Sequence, residues 1–152
     1  MDVPAPILLV EDNDDDVVIT KRAFEHAGVA NPVVVARDGD EALAYLRNAA
    51  KGGALPGLVL LDLNLPRIDG FTVLAEIKSD AQLRSVPVIV LTTSRREEDV
   101  ARCYSCHANS YLVKPPEFER FIEMIGCFHR FWNETATLPT LGKNKPCGKE
   151  AA

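Results

Sequence analysis

The sequence predicts an α/β fold, a doubly wound five-stranded parallel sheet built as (βα)5. Three observations predict it: short apolar runs recur along the chain, helical patterns fall between them, and polar residues end the runs abruptly. The sharpest case is Gly57-Leu58-Val59-Leu60-Leu61-Asp62-Leu63-Asn64-Leu65-Pro66. A run too short for a buried helix, bounded by turn signals, reads as a strand covered on both faces of a parallel sheet. Asp62 then stands at the strand's carboxyl end, the edge at which open α/β sheets bind ligands.

The other elements follow in order. Ile7-Leu8-Leu9-Val10 is a strand ending in Glu11 and Asp12, and a polar turn leads to a helix from about Asp16 to Ala27. Acidic residues suit that helix's start, and Gly28 suits its stop. After Asn31-Pro32, Val33 to Ala36 forms a second strand. Asp40 is placed to cap a helix carrying Ala42, Leu43, Tyr45 and Leu46, and Ala49 to Pro56 reads as the loosest internal loop. Asp69-Gly70 opens a helix with Phe71, Val73, Leu74 and Ile77. Pro87 to Leu91 is a strand leading into Thr92-Thr93-Ser94, and Arg95 to about His107 is a charged, weakly amphipathic helix. Tyr111 to Val113 is the fifth strand, ended by Lys114-Pro115-Pro116, and a last helix runs from near Glu117 to about Trp132. Residues 1–134 are thus expected as one domain, with 135–152 as a flexible tail lacking periodicity.

The 152 residues suit a single domain, and the 47% apolar and 26% charged composition is ordinary for a globular chain. A net charge of −5 argues against nucleic acid as a direct partner, because phosphate binding needs a basic surface. No apolar run approaches the roughly 20 residues of a membrane span, and Met1 to Pro6 lacks the features of a signal peptide. Four cysteines without such a signal fit a reducing compartment, so the expected location is the cytoplasm.

Four of the five strands end in polar groups: Glu11 with Asp12, Asp62, Thr92 and Lys114. Parallel strands put these ends on one edge, and the flavodoxin-like order 2-1-3-4-5 puts them on adjacent strands, with the second strand outside the cluster. Two carboxylates about 4 Å apart repel by roughly 4 kcal/mol at an effective dielectric near 20. Lys114 supplies one charge against three acids, so a hard divalent ion is the natural remainder, with Mg²⁺ the default. Such an ion, a lysine and a hydroxyl together make a receptor for a phosphoryl group, with Asp62 either ligand or nucleophile.

Val10-Glu11-Asp12, Leu61-Asp62, Leu91-Thr92 and Val113-Lys114-Pro115 resemble the signature of response-regulator receiver domains, the CheY-like fold, over about Pro6 to Trp132. The resemblance implies that Asp62 accepts a phosphoryl group from a histidine kinase. It implies Mg²⁺ held by Asp12 directly, by Glu11 through water, and by the backbone carbonyl of Asn64. Thr92 would hydrogen-bond the phosphoryl oxygens, Lys114 would pair with them across a cis bond to Pro115, and Tyr111 would be the aromatic that turns inward as Thr92 moves. Thr93 is larger than the small residue usual beside the switch threonine, and Pro116 doubles the usual proline. The Ala49–Pro56 loop, the Asp62–Pro66 run and Asp14-Asp15-Asp16 resemble the stand-alone regulators paired with bacterial and cyanobacterial phytochromes. Output would then pass through protein contacts or to a histidine phosphotransfer protein.

Other signals have plainer readings. Cys103-Tyr104-Ser105-Cys106-His107 matches a haem-attachment motif, but it lies inside a helix and lacks an export signal, so two ordinary thiols are expected. Asp12 to Asp16 imitates the start of an EF-hand loop, but Val17 and Ala23 stand where Gly and Glu are needed. His26, His107 and His129 have no ligand spacing. In the last helix Phe118, Phe121, Ile122, Ile125, Phe128 and Trp132 form the core stripe, leaving Met124, Cys127 and Phe131 on a face that should be wet. That pattern favours a homodimer, unless Thr135 to Leu141 folds back over it. A Mg²⁺-dependent phosphatase or phosphotransferase is the first rival, and it would be expected to carry an acid where Asn64 stands. A binding module that turns over no phosphate is the second, and it has no need of Asp12, Asp62, Thr92 and Lys114 together.

Overall fold

Alternation within each strand decides the layering. In the computed structural model, which describes residues 4–132, Leu8, Val10, Val59, Leu61, Val88 and Val90 face one side, while Ile7, Leu9, Leu58, Leu60, Ile89 and Leu91 face the other. Both faces are apolar because both are covered, as a parallel sheet requires. The strands are β1 (Ile7–Val10), β2 (Val33–Ala36), β3 (Leu58–Leu61), β4 (Val88–Thr92) and β5 (Ser110–Val113). They pair in parallel in the order β2-β1-β3-β4-β5, with Val10 opposite Leu61, Leu61 opposite Val90, and Thr92 opposite Val113.

Five helices alternate with them: α1 (Asp14–Ala27), α2 (Gly39–Gly52), α3 (Gly70–Ser79), α4 (Glu97–Ser105) and α5 (Phe118–Arg130). Ala42, Leu43 and Leu46 of α2 and Val73, Leu74 and Ile77 of α3 fill the first face. Val17, Ala23 and Phe24 of α1 and Phe121 and Ile125 of α5 fill the second. Each large side chain so buried contributes about 1.5–3 kcal/mol. The fold and strand order expected from the sequence are those observed.

Several boundaries move, each for a local reason. α1 starts two residues early because Asn13 caps it, its side-chain oxygen accepting the Asp16 N–H at 3.1 Å. Asp38, not Asp40, caps α2, accepting the Glu41 N–H at 2.8 Å. α2 also runs on through Ala49 to Gly52, and Gly53 ends it at φ 71°, so the loose 49–56 loop shrinks to its last few residues. α4 is shorter than expected and contributes one fully buried side chain, Cys103. Phe118 leaves the core stripe: it is 39% exposed, its ring meeting that of His26 edge-on at 5.9 Å. No helix among the described residues is long and apolar enough to cross a membrane. The expected tail, and the Thr135–Leu141 segment weighed as a cover for α5, lie outside the described residues.

Candidate functional site

Hydrogen bonds that extend the sheet fix where the site side chains start. The Glu11 N–H donates to Ala36 at 3.0 Å, Asp62 N–H to Val10 at 3.1 Å, and Lys114 N–H to the carbonyl of Thr92 at 2.7 Å. The sheet thus reaches one residue past the ends of β1, β3 and β5, and the chemistry stands on that rim.

Glu11, Asp12 and Asp62 each offer a carboxylate oxygen, and the three atoms lie within 4.8 Å of one another. Glu11 is 2% exposed and Asp62 8%, whereas Asp12 is open to solvent. The Lys114 ammonium donates to Glu11 Oε2 at 2.8 Å and stands 3.9 Å from both Asp62 Oδ2 and Asp16 Oδ2. The other Glu11 oxygen accepts the Asn13 N–H at 3.2 Å. Burial pushes the Glu11 carboxyl up to about 7; Lys114 and the Asn13 N–H pull against that rise, and Asp62 adds to it. One ammonium therefore leaves the cluster short of positive charge. The donor set, oxygens from three carboxylates with one open to water, fits a small hard divalent cation such as Mg²⁺.

Thr92 is fully buried, and its hydroxyl accepts the Ser94 N–H at 3.4 Å. Thr93 next to it points out to solvent. Half-buried Tyr111 donates from its hydroxyl to the Ser94 carbonyl at 2.9 Å, while Ser94 Oγ bonds Asp99 Oδ2 at 2.5 Å in the first turn of α4. Burial raises the Tyr111 phenol above its ordinary range, and the bond to Ser94 opposes this. Asn64 is exposed, and its N–H lies 3.4 Å from Asp62 Oδ1. Pro115 and Pro116 flank an open groove of about 560 Å³ shared with Lys114, Thr93, Asp16 and Phe118. The described peptide bonds are all trans, so the cis bond expected between Lys114 and Pro115 is absent; Lys114 reaches Glu11 from the trans form.

The structure therefore brings Glu11, Asp12, Asp62 and Lys114 together, and it links Thr92 to Tyr111 through Ser94. Sequence reasoning missed three contributors. Asp16, taken as a helix-start charge, faces Lys114. Ser94 bridges β4 to α4. Gly70, read only as a helix opener, lies so close under the site that a Cβ there would stand 2.4 Å from the Asp62 carbonyl oxygen. Of the proposed contact surface, Phe131 is 54% exposed and Cys127 exposed, but Met124 is partly buried against the core. These three line one groove of about 380 Å³ with Leu112, Phe128 and Trp132. Cys103 is fully buried, which pushes its thiol up to about 11, in line with an unreactive side chain.

The chain is similar in sequence and fold to known proteins. The probable methanogenesis regulatory protein FilR2 of Methanothrix harundinacea is 48% identical over 136 residues, spanning 87% of this chain and 88% of that protein. The response regulator Rcp1 of Synechocystis is 41% identical over 138 residues, spanning 90% and 94%. The crystal structure of the phosphorylated cyanobacterial phytochrome response regulator RcpA superposes with a TM-score of 0.82 at 43% identity, covering 90% of this chain and 99% of that one. The Mn²⁺-bound form of Rcp1 gives 0.80 at 40% identity, with coverage of 90% and 99%. Residues 7–126 match the response regulator receiver domain, and the chain belongs to that family.

Proposed function

We propose that residues 1–134 form a stand-alone phosphorylation switch working in the cytoplasm, in which Asp62 takes a phosphoryl group from the phosphohistidine of a histidine kinase. The observation that carries this reading is Lys114 shared between Glu11 and Asp62, 2.8 Å from one and 3.9 Å from the other. An Asp62 carboxylate oxygen attacks phosphorus, and the P–N bond breaks with its electron pair returning to the imidazole. Glu11, Asp12, Asp62 and the carbonyl of Asn64 would hold Mg²⁺, which when bound offsets charge on the phosphoryl oxygens. Lys114 exchanges Glu11 for a phosphoryl oxygen, and the Thr92 hydroxyl donates to another. Thr93, open to solvent beside it, borders the approach. The Thr92 hydroxyl already touches the Ser94 N–H, so its turn toward the phosphoryl group pulls on Tyr111 and on Asp99 of α4.

Acetyl phosphate with Mg²⁺ is expected to add one phosphoryl group, and Asp62→Asn to abolish the addition. Intact-mass spectrometry reads both. A variant labelled as well as the native chain would move the nucleophile elsewhere.

The likeness to RcpA, Rcp1 and a regulator of red light signalling from R. palustris supports a kinase of the phytochrome type. The 48% identity to a methanogenesis regulator favours a second reading, a kinase with a different input. Transfer rates from purified kinases of both types decide between them. Onward relay to a histidine phosphotransfer protein would use the same aspartyl phosphate. The exposed Phe131 and Cys127, beside Met124, support a homodimer through α5, and Phe131→Glu is expected to shift the light-scattering mass to that of a monomer.

A further inference from the structure

Arg37-Asp38-Gly39 follows β2, the strand outside the acidic cluster, yet this turn bonds to the start of α1, just past Glu11 and Asp12, and to the loop that follows Asp62. Arg37 Nη1 pairs with Asp14 Oδ1, two residues beyond Asp12. Asp38 Oδ2 pairs with Arg67 Nη2, in the loop that leads from Asp62 and Asn64 to α3. Arg67 is held at φ 65°, a left-handed conformation that a long L side chain adopts rarely and at a cost. Its neighbour Ile68 occupies the space that Gly39 leaves open: a Cβ on Gly39 would stand 2.5 Å from Ile68 Cγ1. The Asp38 side chain is 17% exposed and is fixed from behind, because its other oxygen caps α2.

We infer that Arg67, paired with Asp38, is a positioning residue for the metal site: the pair holds the loop between Asn64 and Asp69 in its strained form and so sets Asn64 and Asp62 against Asp12. The inference rests on reading the three acids as that metal site. Arg67 is itself 68% exposed, and exposed ion pairs contribute little to global stability. What the pair supplies is placement, and placement has a sign that charge alone does not. Removing a positive charge near an acidic cluster tightens cation binding by Coulomb's law. Removing a positioning residue weakens it.

The test counts free Mn²⁺ by electron paramagnetic resonance over the full chain, with Mg²⁺ as competitor. Arg67→Ala is expected to weaken Mn²⁺ binding by about tenfold, the lower end of what lost outer-shell support costs. Asp38→Asn keeps the helix cap but breaks the pair, and it is expected to weaken binding by a similar factor. The double variant is expected to be no weaker than either single one, because both break one coupled pair. Urea unfolding without metal should stay near the native midpoint for Asp38→Asn, which separates lost placement from lost fold. If Arg67→Ala binds Mn²⁺ as tightly as the native chain, or more tightly, the positioning role is overturned while the metal reading stands. If the native chain binds no Mn²⁺, both fall.

Discussion

Lys114 and Lys78 stand at opposite edges of the same sheet, each largely withdrawn from water, and their surroundings differ in kind. Lys114, at the carboxyl edge, faces three carboxylates: Glu11 just past β1, Asp16 in the first turn of α1, and Asp62 just past β3. Lys78, in the last turn of α3, donates to the carbonyls of Arg84 and Val86 and to Asn109 Oδ1, at 2.9–3.0 Å. Asn109 Oδ1 also accepts the Val88 N–H at 2.8 Å, so this edge is sewn to the start of β4. Neutral oxygens satisfy an ammonium's hydrogen bonds without balancing its charge, and burial pushes Lys78 down to about 8. The lesson is that charged partners can be exchanged for a phosphoryl group or shared with a metal, whereas carbonyls fixed in a turn cannot. One lysine sits in the candidate site, the other in a seam.

That contrast can be broken. Lys114→Met is expected to destabilise the metal-free protein by about 3 kcal/mol, the scale for stripping one partner from a buried ion pair. Excess Mg²⁺ should return most of it, and urea unfolding with and without the ion measures both. For the native chain, Mg²⁺ at a hundredfold excess over its Kd is expected to stabilise by about 2.7 kcal/mol, seen as a higher Tm. An unchanged melt would remove the metal from the site. Lys78→Met is expected to cost about 2 kcal/mol by leaving carbonyls without a donor, and Mg²⁺ should recover none of it.

The smallest effect sharpens the comparison through pH. Below pH 8 Lys78 is charged in both folded and unfolded chains. Between about 8 and the ordinary 10.5 the unfolded chain keeps a proton that the folded one has shed, so this lysine's contribution makes stability rise with pH. Urea midpoints at pH 7.5 and 9.5 should therefore move in favour of the native chain relative to Lys78→Met. A constant difference would mean that Lys78 stays charged.

The strands were legible because burial on both faces leaves an unbroken apolar run, their order followed from the flavodoxin-like fold class, and the acidic cluster was legible because each run stops at a group unlike its neighbours. Glu11, Asp12, Asp62, Thr92 and Lys114 could be picked out for that reason alone. What escaped was anything joined across long sequence separation without a local pattern, such as Asp38 to Arg67 or Lys78 to Asn109. Helix starts were misjudged where a side chain reached forward three residues: Asn13 and Asp38 cap helices that periodicity alone begins later. Met124 and Phe118 traded places because a helical wheel ignores their neighbours: Met124 packs against the core beside Leu112, and Phe118 turns its ring to His26.

Gly70 settles how motion can be divided among the helices. A side chain there would run into the Asp62 carbonyl and lie 2.6 Å from the Leu63 Cα, so α3 and the tip of β3 touch backbone to backbone. The two must travel as one body. Beside α3 on the same face of the sheet, α4 has one buried side chain, Cys103, and is tethered through Ser94 to Tyr111. Charge placed on Asp62 would meet a stiff neighbour in α3 and a more loosely held one in α4, and displacement would follow the latter.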